Sequence, residues 1–241
     1  MPADAAPSFV LLAESPVAGS RITLSVDESH YLARACRARS GDRVSATDGR
    51  GALATLRLVE IGEPVTAEVE TCERAESERE AWVLSGAPEG ERADWMVEKL
   101  AELGVGVFQP LECERDSWRP AVRRIERWRR LAVAALKQSR RRFLLEVRAP
   151  LAIERAIETL PAGAERWLAD PAGSNAGGMS SGAREVVGVI GPAAGLSDAE
   201  KRALEKAGFR CIRLSDGRLR TETAAISWAS WWAAGPGQAI P

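Results

Sequence analysis

Histidine is nearly absent from this chain of 241 residues, and its scarcity restricts the chemistry open to the protein. His30 is the only histidine present. A single histidine excludes a metal site built from several histidines and disfavours a Ser-His-Asp triad. We therefore expect no bound metal.

Cysteine is also sparse. The chain has four cysteines, which are far apart and form no CxxC pair. This spacing predicts reduced, mostly buried thiols of a cytosolic protein rather than a disulfide framework. The four are Cys36, Cys72, Cys113 and Cys211.

Long apolar runs and a signal peptide are absent as well. No stretch of the sequence is long and apolar enough to span a bilayer. These absences predict a soluble protein of the cytoplasm with no membrane partner. The chain also lacks a Walker A sequence and has no GxGxxG after its first strand, so the common nucleotide-binding fingerprints are missing.

Lysine is scarce too, with four lysines against 29 arginines. A GC-rich genome produces such a bias without any functional reason. The clustering is more informative, because residues 115–148 contain twelve basic and three acidic residues in a chain of net charge −1. A positive block on a near-neutral protein predicts an anion-binding face, with a solvated helix surface as the alternative.

Residues 1–72 are predicted to form a small β-rich domain. It holds five short strand candidates and one helix, from about Asp27 to Ala38. Asp48-Gly49-Arg50-Gly51 is typical of a hairpin turn. Residues 73–80 are charged and poor in apolar side chains, which indicates a linker before a second domain at 81–241. The strand candidates are Phe9–Leu12, Arg21–Leu24, Arg43–Thr47, Ala52–Leu58 and Val65–Val69.

The second domain shows a different pattern. Its strand candidates alternate with helices at about 94–103 and 119–139, and this alternation predicts an α/β domain with a mainly parallel sheet. Residues 173–182 are rich in glycine and serine and predict a loop. The strand candidates are Trp82–Ser85, Val105–Phe108, Trp167–Ala169, Val186–Ile190 and Phe209–Leu214.

Two strand-loop-helix corners lie close together near the C-terminus. The first leads from Val186–Ile190 through the loop 191–195 to a helix opened by the capping box Ser197/Glu200. The second ends at Thr221, which can cap a helix that starts at Glu222. Two such corners build a ligand crevice at the ends of parallel strands, although a tight turn without ligand is the alternative for the first loop. Arg220 and Glu222 would lie at the mouth, and a structural ion pair is the alternative for them.

Several short motifs of the chain match those of one known family. Leu219–Ala224 is identical to that family's LRTETA segment, and Lys99–Val105 is similar to its KATELGV helix end. His30–Arg37, together with Asp48–Gly51, resembles its PUA-like N-terminal domain. Its P, ER, RW and EQS signatures correspond in order to Pro110, Glu114-Arg115, Arg127-Trp128 and Gln138-Ser139. On these motifs the chain resembles the RsmE family of bacterial methyltransferases over nearly its whole length.

The resemblance implies an S-adenosylmethionine-dependent enzyme that methylates N3 of a uridine in 16S ribosomal RNA. The fold implied is a C-terminal α/β domain of the SPOUT class, with a trefoil knot and a parallel sheet, after a small β-rich PUA-like domain. A homodimer is implied, with Trp228, Trp231 and Trp232 as candidates for its contact or for core packing. The implied cofactor-binding residues are Gly191, Pro192, Gly195, Leu214, Ser215, Leu219, Thr221 and Thr223.

The chain departs from the family at several positions. Ala193 and Ala194 replace the Glu-Gly of the family's GPEGG loop. If that glycine adopts a positive φ, alanine there costs about 1 kcal/mol or the loop changes shape. Ser215 and Gly217 also differ from the family, and Arg140 replaces the glycine of its QSGR segment.

Methyl transfer to uridine N3 requires that the proton on N3 be removed or the N3 anion be stabilised. Arg220 is the candidate to stabilise charge on the uracil carbonyls, and Glu222 the candidate to orient that arginine or accept the proton. The partner is 16S ribosomal RNA or the assembled small subunit, and the candidate RNA contacts are Arg34, Arg37, Arg39, Arg115 and Arg141.

Two other functions stay open at this point. One is an RNA-binding protein that kept the fold and lost the transferase, which Ala193 and Ala194 favour and the intact Leu219–Ala224 segment disfavours. The other is an active SPOUT enzyme that acts on a different RNA.

Overall fold

The chain divides into two compact units. The computed structural model describes residues 8–77, 80–89, 91–116, 118, 121–175 and 183–235. Unit 1 comprises Met1–Ser77 and Leu136–Leu144, and unit 2 comprises Glu78–Ala135 and Leu145–Pro241. The domain limits at 72 and 81 stay a prediction, and the sequence did not indicate that residues 136–144 belong with the N-terminal part. Arg119 and Pro120 of the predicted helix and residues 176–182 of the predicted loop lie outside the described residues.

Unit 1 is a five-stranded sheet in the order β1-β3-β4-β5-β2, with one helical segment. Only the pair β1–β3 is parallel. Burial alternates along β4 because successive side chains of a strand point to opposite faces. The elements are β1 (Phe9–Leu11), β2 (Arg21–Thr23), α1 (Val26–His30, continued by a π-helical turn at Tyr31–Ala35), β3 (Arg43–Thr47), β4 (Ala52–Glu60) and β5 (Thr66–Arg74).

Residues 136–144 join unit 1 through hydrogen bonds and one buried ion pair. Lys137 Nζ lies 2.7 Å from Glu28 Oε2 and stacks over the Tyr31 ring at 4.0 Å. The backbone N–H of Leu144 donates to the carbonyl of Gly49 at 2.9 Å. These contacts couple a segment distant in sequence to the turn before β4, a pairing that local patterns do not reveal.

Unit 2 is built on a parallel sheet in the order β12-β10-β11-β6-β7-β8, with β9 beside β7. β6 and β11 are buried almost throughout, as expected of parallel strands covered on both faces. The elements are β6 (Glu80–Ser85), α2 (Ala93–Leu103), β7 (Val107–Glu112), α3 (Ala121–Ser139, of which residues 136–139 belong to unit 1), β8 (Glu146–Val147), β9 (Leu151–Ala152), α4 (Ile153–Glu158), β10 (Glu165–Asn175), β11 (Glu185–Ile190), α5 (Asp198–Lys206), β12 (Arg210–Arg213) and α6 (Thr221–Ala234). The α/β class and the parallel sheet are confirmed, and the trefoil knot stays a prediction.

Residues 173–175 correct one prediction, because they extend β10 rather than begin a loop. Ser174 pairs with Ile212 and Asn175 with Arg213, after a register shift that starts at Ala169. A Cβ on Gly173 would lie 2.5 Å from the Ile212 nitrogen, so the glycine permits the close approach of β12. The same glycine weakened the strand signal in the sequence.

Helix α6 is held against the sheet by one large side chain. Trp228 is 0 % exposed, and its indole occupies the space that a Cβ on Gly188 of β11 would need, 2.4 Å from that position. Trp228 is therefore a core residue of its own chain rather than part of an intermolecular contact. This packing fixes where the first turn of α6 begins, which matters for the site described below. No helix in the described parts of the chain is both long and apolar enough to cross a membrane.

Candidate functional site

A cavity of about 560 Å³ opens beside the parallel sheet of unit 2, where the loops after β11 and β12 meet β10 and the start of α6. Its position agrees with the crevice predicted from the two strand-loop-helix corners. The walls combine backbone of the two loops with apolar side chains and a few charged ones. They are formed by Glu89, Ala169, Asp170, Pro171, Ile190, Gly191, Pro192, Ala193, Gly195, Leu196, Lys201, Arg213, Leu214, Ser215, Gly217, Arg218, Leu219, Arg220, Thr221, Glu222 and Ala224.

The loop after β11 is a tight turn from Pro192 to Gly195. The N–H of Gly195 donates to the carbonyl of Pro192 at 2.8 Å, and Gly195 has a φ of +77°. Ala194 does not have a positive φ, because Arg37 and Arg140 are the non-glycine residues with one in the described part of the chain. Alanine at 194 therefore carries no left-handed backbone strain, and the altered loop keeps a tight turn.

The same loop approaches β6 closely. A Cβ on Gly86 would lie 2.4 Å from the nitrogen of Pro192, so glycine at 86 is what permits the contact. The N–H of Ala193 then donates to the carbonyl of Ala87 at 3.2 Å. The turn is thus anchored to the segment that follows β6.

The start of α6 corrects the predicted cap. Arg220 is the N-cap residue, with extended backbone (φ −71°, ψ 157°), and it makes no side-chain cap hydrogen bond. Thr221 already lies in the helix, and its hydroxyl donates to the carbonyl of Gly191 at 3.0 Å. Arg218 adds a second tie, since Nη2 donates to the carbonyl of Ala193 at 3.2 Å. The sequence suggested Thr221 as the cap because threonine is a common cap residue, but here its hydroxyl joins the two loops.

Glu222 is the one carboxylate of α6 and is buried, with 3 % of the residue exposed. Arg92, the N-cap residue of α2, donates from Nη1 to Glu222 Oε1 at 2.7 Å. The other oxygen, Oε2, is buried and has no hydrogen-bond partner within the described residues. Because Glu222 lines the cavity, the wall contains a carboxylate with one oxygen bound by Arg92 and one without a hydrogen-bond partner among the described residues.

This pairing differs from the expectation that Glu222 orients Arg220. Arg220 is exposed and also lines the cavity. Among the residues that the structure describes, no carboxylate lies within ion-pair distance of its guanidinium. Glu222 takes a partner from α2 instead, because α2 packs directly against α6.

A second ion pair forms part of the cavity wall. Lys201 Nζ lies 2.7 Å from Asp170 Oδ2, and the N–H of Ala172 donates to Asp170 Oδ1 at 2.8 Å. Burial acts to raise the pKa of Asp170, but the hydrogen bonds from Lys201 and Ala172 outweigh it and lower the pKa below its usual value. Asp170 is therefore an anion with both oxygens engaged.

Arg115 is exposed and lies close to the cavity loop. Its Nη1 would be 3.9 Å from a Cβ on Gly195. The loop that carries Arg115 is held by Glu200, whose Oε1 accepts from the N–H of Glu114 at 2.9 Å and whose Oε2 accepts from the N–H of Ser197 at 2.6 Å. The predicted capping box of Ser197 and Glu200 is confirmed, and its carboxylate also fixes this neighbouring loop.

The other candidate RNA contacts belong to unit 1. Arg34 is 79 % exposed and 3.9 Å from Glu63, and Arg39 is exposed. Arg37 is also exposed and has a left-handed backbone with φ 52°. Arg141 is half-buried, and burial lowers the pKa of its guanidinium.

Seven of the eight candidate cofactor residues line the cavity, whereas Thr223, an exposed residue of α6, is not part of its wall. The residues that sequence reasoning missed are Arg92, Asp170 and Lys201. Each reaches the site through tertiary packing of a distant segment, and no motif in the sequence marks them.

Comparisons with known proteins identify both units. The family described as RNA methyltransferase domain matches residues 75–233, and the RNA methyltransferase PUA domain matches residues 24–70. The first match covers most of the chain.

Individual proteins agree with the family match. Ribosomal RNA small subunit methyltransferase E of Synechocystis is 28 % identical over 223 residues, which cover 89 % of this chain and 73 % of that protein. The crystal structure of the enzyme of that name from Neisseria gonorrhoeae, bound to S-adenosyl methionine, has a TM-score of 0.85, 25 % identity, and coverage of 93 % of this chain and 96 % of that one. A probable rRNA-methyltransferase from Porphyromonas gingivalis has a TM-score of 0.80 at 28 % identity, with coverage of 94 % and 96 %.

The resemblance read from LRTETA and the accompanying motifs is thereby confirmed. The small N-terminal β-rich unit is PUA-like, and the parallel α/β unit is the RNA methyltransferase domain. The two domain matches and the similar proteins agree. The chain therefore belongs to the RNA methyltransferase family that RsmE represents.

Proposed function

We propose that this protein transfers a methyl group from S-adenosylmethionine to N3 of a uridine in 16S ribosomal RNA, in the cytoplasm, where that RNA resides. The observation that carries the proposal is the cavity, because the residues that the resemblance assigns to the cofactor converge on its wall. Relatives named for methylation of small-subunit ribosomal RNA support the substrate class. The absence of a positive φ at Ala194 removes one of the two features that had favoured a degenerate RNA-binding protein, while Ala193 still replaces the acidic residue of the family's loop.

The residues around the cavity suit S-adenosylmethionine. Leu196, Leu214 and Leu219 offer apolar surface to an adenine ring, and glycine at 191 and 195 leaves backbone accessible. The first turn of α6 lacks a side-chain cap, so its N–H groups are suited to a carboxylate. When bound, S-adenosylmethionine would supply a methyl carbon on a positively charged sulfur, and this sulfur leaves as a neutral thioether without further activation.

Arg220 is the residue that we assign to the uracil. When N3 loses its proton, negative charge spreads onto the two neighbouring carbonyl oxygens. An exposed guanidinium at the cavity wall, held at the N-cap of α6, can donate to such an oxygen as charge develops. Because the described carboxylates leave it without an ion-pair partner, its donors are available to substrate. The buried Glu222 adds negative charge on the same wall.

The arginines outside the cavity are assigned to the RNA backbone. Arg115 lies beside the cavity loop of unit 2, and Arg34, Arg37, Arg39 and Arg141 present positive charge on unit 1. Such contacts position the RNA while the target base leaves its stack to reach the cavity. The substrate is the free RNA or the assembled small subunit.

A homodimer is part of the proposal. Trp95 on α2 is 50 % exposed, and Trp231 and Trp232 on α6 are half-buried, on two helices that pack together. Apolar surface of this kind suits contact with a second copy. Sedimentation of the purified chain at micromolar concentration tests this assignment, and a monomer would contradict it.

The proposed function predicts cofactor binding and a base-specific product. We expect calorimetric titration to give one S-adenosylmethionine per chain, and incubation with small ribosomal subunits to yield 3-methyluridine detectable by mass spectrometry of the digested RNA. Arg220→Ala should lower the rate of transfer by about 10²–10³-fold, because it removes one donor to developing charge.

Arg155→Ala is the matched control. Arg155 is an exposed arginine of α4 paired with Glu158 on the surface, and it does not line the cavity. We expect wild-type turnover from it. Full turnover by Arg220→Ala would contradict the role of Arg220, and methylation of another base or another RNA would contradict the proposed substrate.

A further inference from the structure

Glu222 and Arg92 form an asymmetric pair. A carboxylate that is 3 % exposed needs compensation for the water it has lost, and Arg92 supplies it to one oxygen only. The second oxygen is buried without a hydrogen-bond partner in the described part of the chain. A buried acceptor left in this state indicates a partner that arrives with a ligand.

Arg92 approaches Glu222 from outside the cavity. It is the N-cap residue of α2, its side chain is 46 % exposed, and it is not among the residues that line the cavity. The guanidinium holds the carboxylate through Oε1. Glu222 itself lines the cavity, and Oε2 is its oxygen without a hydrogen-bond partner among the described residues.

We propose that Glu222 Oε2 accepts the N3 proton of the uridine and that Arg92 is the positioning residue that holds Glu222 for this task. The inference rests on the proposed function, which supplies the substrate. It assigns the proton acceptor and adds a residue, Arg92, that sequence motifs did not indicate.

The proposed step conserves atoms and charge. The N3–H bond of the base breaks, and its proton forms a bond to Glu222 Oε2, so the carboxylate becomes a neutral carboxylic acid. The N3 electron pair forms the bond to the methyl carbon, and the bond between that carbon and sulfur breaks with its electron pair remaining on sulfur. One negative charge on the protein and one positive charge on sulfur are lost together, and the acid returns its proton to solvent after product leaves.

The test uses the full-length chain and four variants: Arg92→Ala, Arg92→Lys, Glu222→Gln, and the double variant Arg92→Ala/Glu222→Gln. Single-turnover methylation of small ribosomal subunits is measured at saturating subunit and S-adenosylmethionine. Calorimetric affinity for S-adenosylmethionine and thermal unfolding are measured on the same proteins. Arg155→Ala again serves as the surface control.

We expect Glu222→Gln to slow transfer by about 10²–10⁴-fold, the range of general-base catalysis. Arg92→Ala should slow it by about 10²-fold, as expected when a reacting group loses its orientation. The double variant should be no slower than Glu222→Gln alone, because Arg92 acts only through that carboxylate. Arg92→Lys, which keeps the cation, should stay within about tenfold of wild type, and the affinity for S-adenosylmethionine should be unchanged in every variant.

Several results would overturn the inference. They are a wild-type rate in Arg92→Ala, a double variant whose loss is the product of the two single losses, or a loss explained by weaker cofactor binding alone. If Arg92→Ala does not fold because it leaves a buried carboxylate uncompensated, Arg92→Lys and the double variant carry the test, since neither leaves such a charge. A wild-type protein with no transfer activity overturns the proposed function itself, and this inference falls with it.

Discussion

Ala194 and Arg140 both occupy positions where the RsmE family has glycine, but the two residues differ in backbone conformation. Ala194 lies inside the turn after β11 and has no positive φ, whereas Arg140 has a φ of +54°. Arg140 follows the last residue of α3, and the N–H of Arg141 donates to the carbonyl of Leu136 at 3.1 Å, the 6→1 bond of a Schellman motif. This motif requires the left-handed residue, so the strain of the substitution falls at 140 rather than in the loop after β11.

At position 140 we predict that glycine is more stable than alanine. Both substitutions remove the arginine side chain, but only glycine adopts the left-handed backbone without steric cost. The relief, less the extra freedom of glycine in the unfolded chain, amounts to about 0.5–1 kcal/mol in the free energy of unfolding. Urea denaturation of Arg140→Gly and Arg140→Ala measures the difference. Equal stability of the two variants would contradict the inference that the backbone at position 140 is strained.

At the scale of elements, the site is a junction of two loops and one helix start. Gly191 and Thr221 are joined by the hydroxyl of Thr221, and Ala193 is joined to Arg218, so the loops after β11 and β12 form one wall. Trp228 packed on Gly188 fixes the helix from behind. A disturbance at any of these contacts therefore reaches the cavity even where it touches no ligand.

We predict that Thr221→Val weakens binding of S-adenosylmethionine about fivefold. The substitution removes the donor to the carbonyl of Gly191, a hydrogen bond worth about 1 kcal/mol, and lets the two loops separate. Calorimetry measures the affinity. Thr221→Ser keeps the hydroxyl and should bind as wild type does, so a loss in Thr221→Ser as large as that in Thr221→Val would contradict the role of the hydrogen bond.

At the scale of the whole molecule, each unit has its own core and its own means of stabilisation. Unit 2 contains all eight tryptophans, whereas unit 1 contains none. In unit 1, the buried carboxylate of Asp48 accepts from Ser15 Oγ at 2.7 Å and Arg74 Nη2 at 2.8 Å. It also accepts from the backbone N–H groups of Arg50 and Ala52. Asp48 thus organises the hairpin turn that leads into β4.

This arrangement predicts that unit 1 loses stability in acid through Asp48. Burial acts to raise the pKa of Asp48, but its hydrogen bonds, first that of Arg74, outweigh it and hold the pKa far below the usual value. Because the folded state binds the proton less readily than the unfolded chain, the stabilisation is complete above about pH 4 and is lost as the pH falls below that value.

The comparison of wild type with Asp48→Asn isolates this effect. At pH 7 we expect the variant to be less stable by about 1–3 kcal/mol, because the charged acceptor is lost, and the difference should shrink as the pH falls below about 4. Hydrogen exchange of unit 1 amides measures it, while tryptophan fluorescence follows unit 2 alone. A difference that is constant with pH would contradict the ionised state of Asp48.

The sequence by itself determined the class of each unit and the place of the cavity. Alternating burial in β4, the apolar runs of β6 and β11 and the capping box at Ser197 are local patterns, and local backbone and solvation preferences are enough to produce them. The LRTETA segment was also readable, because a fixed order of residues carries the family resemblance.

Only the tertiary structure decided which groups meet. Arg92 and Glu222 are 130 residues apart in the chain, and their contact depends on how α2 lies against α6. Three other features have the same origin. Thr221 contacts the loop after β11 instead of capping α6, β10 extends past Gly173, and residues 136–144 associate with unit 1. Each depends on close packing between distant segments, whose free energy outweighs the local preference that the sequence displays.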